Sequence, residues 1–234
     1  MASLSAVNLG TGRTATAITT GGYHTCAILD NASVKCWGRN NHGQLGIDST
    51  VTTGDSSGEM ASLSAVNLGT GRTATAIAAE HYHTCAVLDN GDVKCWGRNN
   101  AGQLGIDSTT TKGNSSGDMA SLTAVNLGTG RTATAIDLGY QHTCALLDNG
   151  DVKCWGYNAQ GQLGIDSTIT TGDSSGEMAS LTAVNLGTGR TATAIELGYF
   201  HSCALLDNGD VKCWGYNFYG QLGIDSTTTT GDSS

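Results

Sequence analysis

Residues 142–164 read HTCALLDNGDVKCWGYNAQGQLG, and this stretch decides the fold. Two runs rich in apolar and β-branched residues, His142–Leu147 and residues 152–155, flank Asp148-Asn149-Gly150. That is the composition of a strand, a tight turn and a second strand. A three-residue loop with Gly150 in the left-handed bulge position sets Leu147 against Asp151. Cys144 then faces Cys154. Cross-strand partners have Cβ atoms ~4.5–5.5 Å apart, and the closer, non-hydrogen-bonded pairs suit a disulfide. A two-residue Asn-Gly loop would slip the register by one and send the cysteines to opposite faces. Turn chemistry and cysteine spacing therefore agree on one register.

Working outward, the stretch occurs four times. Met1, Met60, Met119 and Met178 mark a period of 59 residues in a chain of 234. The units are 1–59, 60–118, 119–177 and 178–234, read as one domain. The cysteines repeat with them: Cys26 and Cys36, Cys85 and Cys95, Cys144 and Cys154, Cys203 and Cys213. Periods of this order signal solenoids, propellers or arrays. In the third unit the pattern predicts four strands: residues 123–127, Ala133–Leu138, His142–Leu147 and residues 152–155. Gly128-Thr129-Gly130 turns between the first two. Residues 158–180 form a polar loop, and no amphipathic helix is evident. In the first unit Asn31-Ala32-Ser33 replaces Asn-Gly-Asp, which puts Ala32 in the left-handed position at a cost of roughly 1 kcal/mol relative to Gly.

Composition excludes several classes. Gly is abundant (34 residues), Pro is absent and no run of ~18 apolar residues exists, so neither a collagen-like chain nor a membrane helix is expected. The net charge of −9, with eight of the eleven Lys and Arg recurring as one of each per unit, argues against a nucleic-acid partner. The opening MASLSAVNLG lacks the basic and apolar regions of a signal peptide, which suggests a domain cut from something longer. Paired cysteines nonetheless point to an oxidising, extracellular or cell-surface location.

The quoted stretch resembles the repeat of the regulator of chromosome condensation family. His24, Trp37, Asn40 and Gly43-Gln44-Leu45-Gly46 carry the likeness in the first unit, and their counterparts carry it in the others. The resemblance implies an all-β propeller with one four-stranded blade per unit. Similar propellers include exchange factors for a small GTPase, a secreted β-lactamase inhibitor and a plant photoreceptor. The paired cysteines are closest to secreted members. The family usually closes with seven blades, whereas this chain supplies four. If residues 5–9 complete the sheet of the last unit, the ring closes within one chain at four blades, or across a homodimer at eight, the arrangement slightly favoured.

The units differ in few places. One window precedes the His-Thr-Cys strand (Gly22-Tyr23, His81-Tyr82, Tyr140-Gln141, Tyr199-Phe200). The other follows Trp-Gly (Arg39 to His42, Arg98 to Ala101, Tyr157 to Gln160, and Tyr216, Phe218 and Tyr219). They hold every Tyr and Phe of the chain, and the hairpin register makes them neighbours. This is the candidate binding face, for a protein or a glycan, since aromatics give large contact area at low entropic cost. The plainer expectation is packing between blades, with cation–π contacts in the Tyr/Arg pairs.

Catalysis finds little support, because each acid, base or nucleophile recurs fourfold while an active site needs one asymmetric cluster. A His24/Cys26/Cys36 zinc site and a calcium site at Asp166, Asp173 and Glu177 are weighed and set aside. No cofactor or metal is expected. The chain reads as a binding propeller or, failing that, a structural or designed scaffold without ligand.

Overall fold

A computed structural model describes residues 4–232. Each unit yields one antiparallel sheet. The strands are β1 (Ala15–Thr20), β2 (His24–Leu29) and β3 (Val34–Gly38); β4 (Ala74–Glu80), β5 (His83–Leu88) and β6 (Val93–Gly97); β7 (Ala133–Leu138), β8 (His142–Leu147) and β9 (Val152–Gly156); and β10 (Ala192–Leu197), β11 (His201–Leu206) and β12 (Val211–Gly215). Within every sheet the spatial order follows the sequence order.

The central hairpins have the expected register. Cys26 stands opposite Cys36, Cys85 opposite Cys95, Cys144 opposite Cys154 and Cys203 opposite Cys213. All four pairs are disulfides, at Cα–Cα separations of 4.0–4.1 Å. Gly150 adopts φ +81°, and Leu147 N–H donates to Asp151 O. Ala32 takes φ +59° in the corresponding place, the left-handed strain foreseen for it.

The blades have three strands rather than four. Residues 123–127 form no strand and make one ladder bond, Val125 N–H to Val93 O at 2.8 Å, on the outer edge of the preceding sheet. Val66 and Val184 repeat it on Val34 and Val152. Pairing stops there because Asn126 Oδ1 accepts the Gly128 N–H, curling the chain into an Asx turn towards the next blade. A second difference lies in the long loops, where four-residue helices α1 (Glu59–Ser62), α2 (Asp118–Ser121) and α3 (Glu177–Ser180) form, each after a glycine with positive φ. The Met-based unit borders fall inside these helices. Asp48 accepts the Gly117 and Met119 amides and Asp107 those of Gly176 and Met178, so α2 and α3 are each capped from the preceding blade.

The core lies between blades, one cluster per junction. The first joins Ile28, Val34 and Leu45 to Val66, Leu88 and Trp96, and two further clusters repeat it along the chain. Strand β4 packs on β1 and β2, β7 on β4 and β5, and β10 on β7 and β8. No comparable packing joins β1 to β10 or β11. Among the described residues, no backbone bond links residues 5–9 to β12. The one-chain closed ring is therefore not formed; the four blades make an open arc. Val7 stays 49% exposed and Val211 65%.

Candidate functional site

A polar ladder inside each junction fixes the blades that carry the variable windows. Gln44 O accepts from Thr84 Oγ1 (2.9 Å) and from Trp96 Nε1 (3.0 Å), while His24 Nε2 bonds Thr84 Oγ1 at 2.8 Å. Because that hydroxyl donates to Gln44, it must accept from His24, which assigns the proton to Nε2. His83 and His142 repeat the motif through Thr143 and Ser202, so the ladder needs the hydroxyl and not the methyl. Burial lowers His24 to about 4 and, helped by neighbouring histidines, His83 and His142 to about 3. These rings are neutral structural bonds. The cysteines are oxidised and His24 is engaged by Thr84, so the zinc reading of His24, Cys26 and Cys36 falls away.

The disulfides are staples of the core and form no part of the exposed face. Cys85 and Cys95 are fully buried in the junction cluster that also holds Val87, Val93 and Trp155. Cys26, Cys36, Cys144 and Cys154 are buried in the other two clusters, and Cys203 and Cys213 are half-buried on the last blade. Glu177 Oε2 has a structural task as well, accepting three backbone amides, from Gly172, Asp173 and Ser174.

The variable windows meet as the register requires. Arg39 N–H donates to Tyr23 O, Arg98 to Tyr82, Tyr157 to Gln141 and Tyr216 to Phe200, each at 2.9 Å. The second window is a loop pinned from inside. Buried Asn40 donates to Ser49 O and accepts the Leu45 amide, and Gln44 Oε1 accepts the His42 amide. The scaffold is common to the units; only the side chains above it change.

Those side chains form one connected aromatic network. His81 sits near its middle, 4.0 Å from Tyr82, 4.7 Å from Tyr140 and 5.8 Å from Tyr23 between ring centres. Tyr140 stacks on Tyr199 at 4.3 Å. Phe200 leads on to Tyr157 and Tyr216, and Tyr216 to Phe218 and Tyr219. At the other end His42 meets Tyr82 at 4.9 Å. Arg39 lies 5.3 Å from both the Tyr23 and Tyr82 rings, and Arg98 lies 5.7 Å from Tyr82. All seven Tyr and both Phe belong to this network. Gln141 instead reaches Asn100 Oδ1 at 3.2 Å, and the Gln160 amide donates to Gln162 Oε1. Packing and exposure coexist here: Arg39 and Tyr82 clamp two blades together, while Tyr199 (50%), Tyr23 (57%) and Tyr219 (82%) stay open to solvent.

His81 carries a further mark. Its φ of +29° is unusual outside glycine, and such strain collects at functional positions. Burial, with Arg98 and Arg39 nearby, lowers its pKa.

A third variable window, on the strands preceding these turns, escapes the sequence reading. Thr19-Thr20-Gly21 becomes Ala78-Ala79-Glu80, Asp137-Leu138-Gly139 and Glu196-Leu197-Gly198. Its signal is present in the differences between units, but those strands read as plain core. Asp137 Oδ2 accepts the Leu197 amide at 2.6 Å, as Thr19 Oγ1 accepts that of Ala79 at 3.1 Å. Burial, with Glu196 and Glu80 nearby, pushes Asp137 up to about 6.

The comparisons with known proteins fit this geometry. The profile of the regulator of chromosome condensation (RCC1) repeat matches residues 15–44, 75–103, 133–162 and 192–221, about half of the chain. The human probable E3 ubiquitin-protein ligase HERC3 is 30% identical over 211 residues, covering 90% of this chain but 18% of HERC3. The ultraviolet-B receptor UVR8 of Arabidopsis thaliana is 28% identical over 207 residues, covering 88% of this chain and 42% of the receptor. The chain thus spans less than half of either relative. Human WBSCR16 superposes with TM-score 0.74 at 19% identity, over 93% of this chain and 52% of that one. Yeast RCC1 (Prp20) gives 0.69 at 23%, over 92% and 47%. The chain belongs to the RCC1 repeat family and has its β-propeller fold.

Proposed function

We propose that this chain is a non-enzymatic recognition propeller that binds a protein or glycan partner through its Tyr-rich face. One observation carries the reading: in the two windows where the units differ most in aromatic content, the aromatic, Arg and His side chains join into a single network with solvent-facing members. Aromatic and Arg side chains on a rigid frame are the usual anchors of recognition surfaces. Protein binding is on record for a fold relative, since yeast RCC1 (Prp20) has been crystallised with Kap60. A photoreceptor role like that of UVR8 has less support, because Trp96, Trp155 and Trp214 are each buried and bonded within separate junctions. The four disulfides favour an extracellular or cell-surface setting, and no helix among the described residues is long and apolar enough to cross a membrane.

The test is a glycan array and an array of purified extracellular proteins, probed with the parent chain and with a variant in which Tyr140, Tyr157, Tyr199 and Tyr216 are Ala. The expected result is a partner signal that the variant loses while its melting remains cooperative. A variant that unfolds, or a parent that binds nothing, favours the scaffold reading, to which the clamp of Arg39 on Tyr82 lends support.

A further inference from the structure

We propose that the two open ends of the arc are the two halves of one interface, and that a second copy of this chain fills both to close an eight-bladed ring. The chain makes one set of junction bonds three times and leaves it unmade at its ends. Val66, Val125 and Val184 donate their amides to Val34, Val93 and Val152. Ala74, Ala133 and Ala192 donate theirs to Ala32, Gly91 and Gly150. Trp96, Trp155 and Trp214 donate from Nε1 to Gln44, Gln103 and Gln162 at 3.0–3.1 Å. By repeat position, the fourth donors are Val7 N–H, Ala15 N–H, Thr25 Oγ1 and Trp37 Nε1, all on the first blade. The fourth acceptors are the Val211, Gly209 and Gln221 carbonyls on the last, the Gln221 carbonyl serving both side-chain donors as Gln44 O does within the chain.

The apolar surfaces match as well. Ile136, Leu146 and Val152 are buried within the junctions. Their counterparts Ile18, Leu205 and Val211 are 68%, 41% and 65% exposed. Glycine sockets tell the same story. A methyl on Gly46, Gly105 or Gly164 would come within 2.7 Å of the next blade's Trp Nε1, whereas Gly223 faces open space. Gly220 and Gly209 face open space too, although Gly161 and Gly150 are closed by the following blade. A cavity of about 330 Å³ lies on the last blade, lined by Tyr199, Phe200, His201, Tyr216, Tyr219 and Gln221. Inside the chain, the corresponding place is where Tyr82 lies on Arg39 and His42. Tyr23 of a second copy is the residue that repeat position puts there.

One copy leaves both faces open, since the first and last blades of this chain do not meet after three junctions. Two is the smallest number of copies in which every such face is filled. A head-to-tail interface closes when its rotation divides the circle, and here two copies related by half a turn satisfy it with no free edge left.

Size-exclusion light scattering of the purified chain tests this. The expected mass is twice 23.9 kDa. Val211→Lys and Ile18→Asp alter one face each at exposed positions, and each should return the mass to 23.9 kDa with the strand circular dichroism retained. A parent chain at 23.9 kDa up to its solubility limit, or an assembly of three or more chains, would overturn the proposal. So would face variants that stay at twice the monomer mass.

Discussion

At the scale of single residues, Ala32 shows how closely turn chemistry controls this chain. It occupies the left-handed place that Gly91, Gly150 and Gly209 hold elsewhere. In the second and third units that place is also crowded, since a methyl on Gly150 would lie 2.6 Å from the Thr191 Cβ. Ala32→Gly removes the strained φ of the first unit. It should stabilise the chain by roughly 1 kcal/mol, seen as a higher melting temperature. An unchanged melt would contradict the bulge geometry. This turn was legible from Asp148-Asn149-Gly150 and the cysteine spacing because turn type, register and disulfide all constrain the same few residues. The loss of the first expected strand was not, since it depends on whether the Asn126 side chain or the ladder captures the next amides.

At the scale of elements, the strands carry a hydroxyl ladder from blade to blade. Thr143 Oγ1 donates to Gln103 O and accepts from His83 Nε2, so removing the hydroxyl leaves the buried His83 N–H unpaired and Gln103 O with Trp155 Nε1 alone. Thr143→Val should cost about 1–3 kcal/mol or more at neutral pH. Thr143→Ser should cost far less, since Ser202 already serves in that position. Equal losses in urea titrations of the two variants would refute the ladder. Acid acts on the same element. The folded pKa values of His24, His83 and His142, about 4, 3 and 3, lie below the ordinary value of 6.5. The unfolded chain thus takes up protons first, and stability is lost as pH falls from about 6.5 towards 4. The slope is at most about 1.4 kcal/mol per pH unit for each ring. The histidines were visible in the sequence as repeat markers. Their bonding was not, because each partner lies one unit further along the chain.

At the scale of the whole molecule, the repeat supplies the frame and the differences between units supply the candidate face. The period, three of the four expected strands of each unit and the two aromatic windows could be read directly. The arc's curvature could not, because the angle between blades comes from packing in the three junction cores and no pairwise pattern in the sequence encodes it. The acidic window at Glu80, Asp137 and Glu196 was equally hidden, for its residues interrupt strands that otherwise read as core. What separates a recognition surface from a packing seam is whether the variable side chains can be made uniform without loss of structure. The direct measurement compares the parent chain with a variant in which Tyr140 and Tyr199 become Gly and Tyr157 and Tyr216 become Arg, the residues of the first unit. Both are melted and both are applied to the same glycan and protein arrays. A recognition face predicts a cooperative melt within a few degrees of the parent together with a lost partner signal; a partner signal that survives these four changes would refute it.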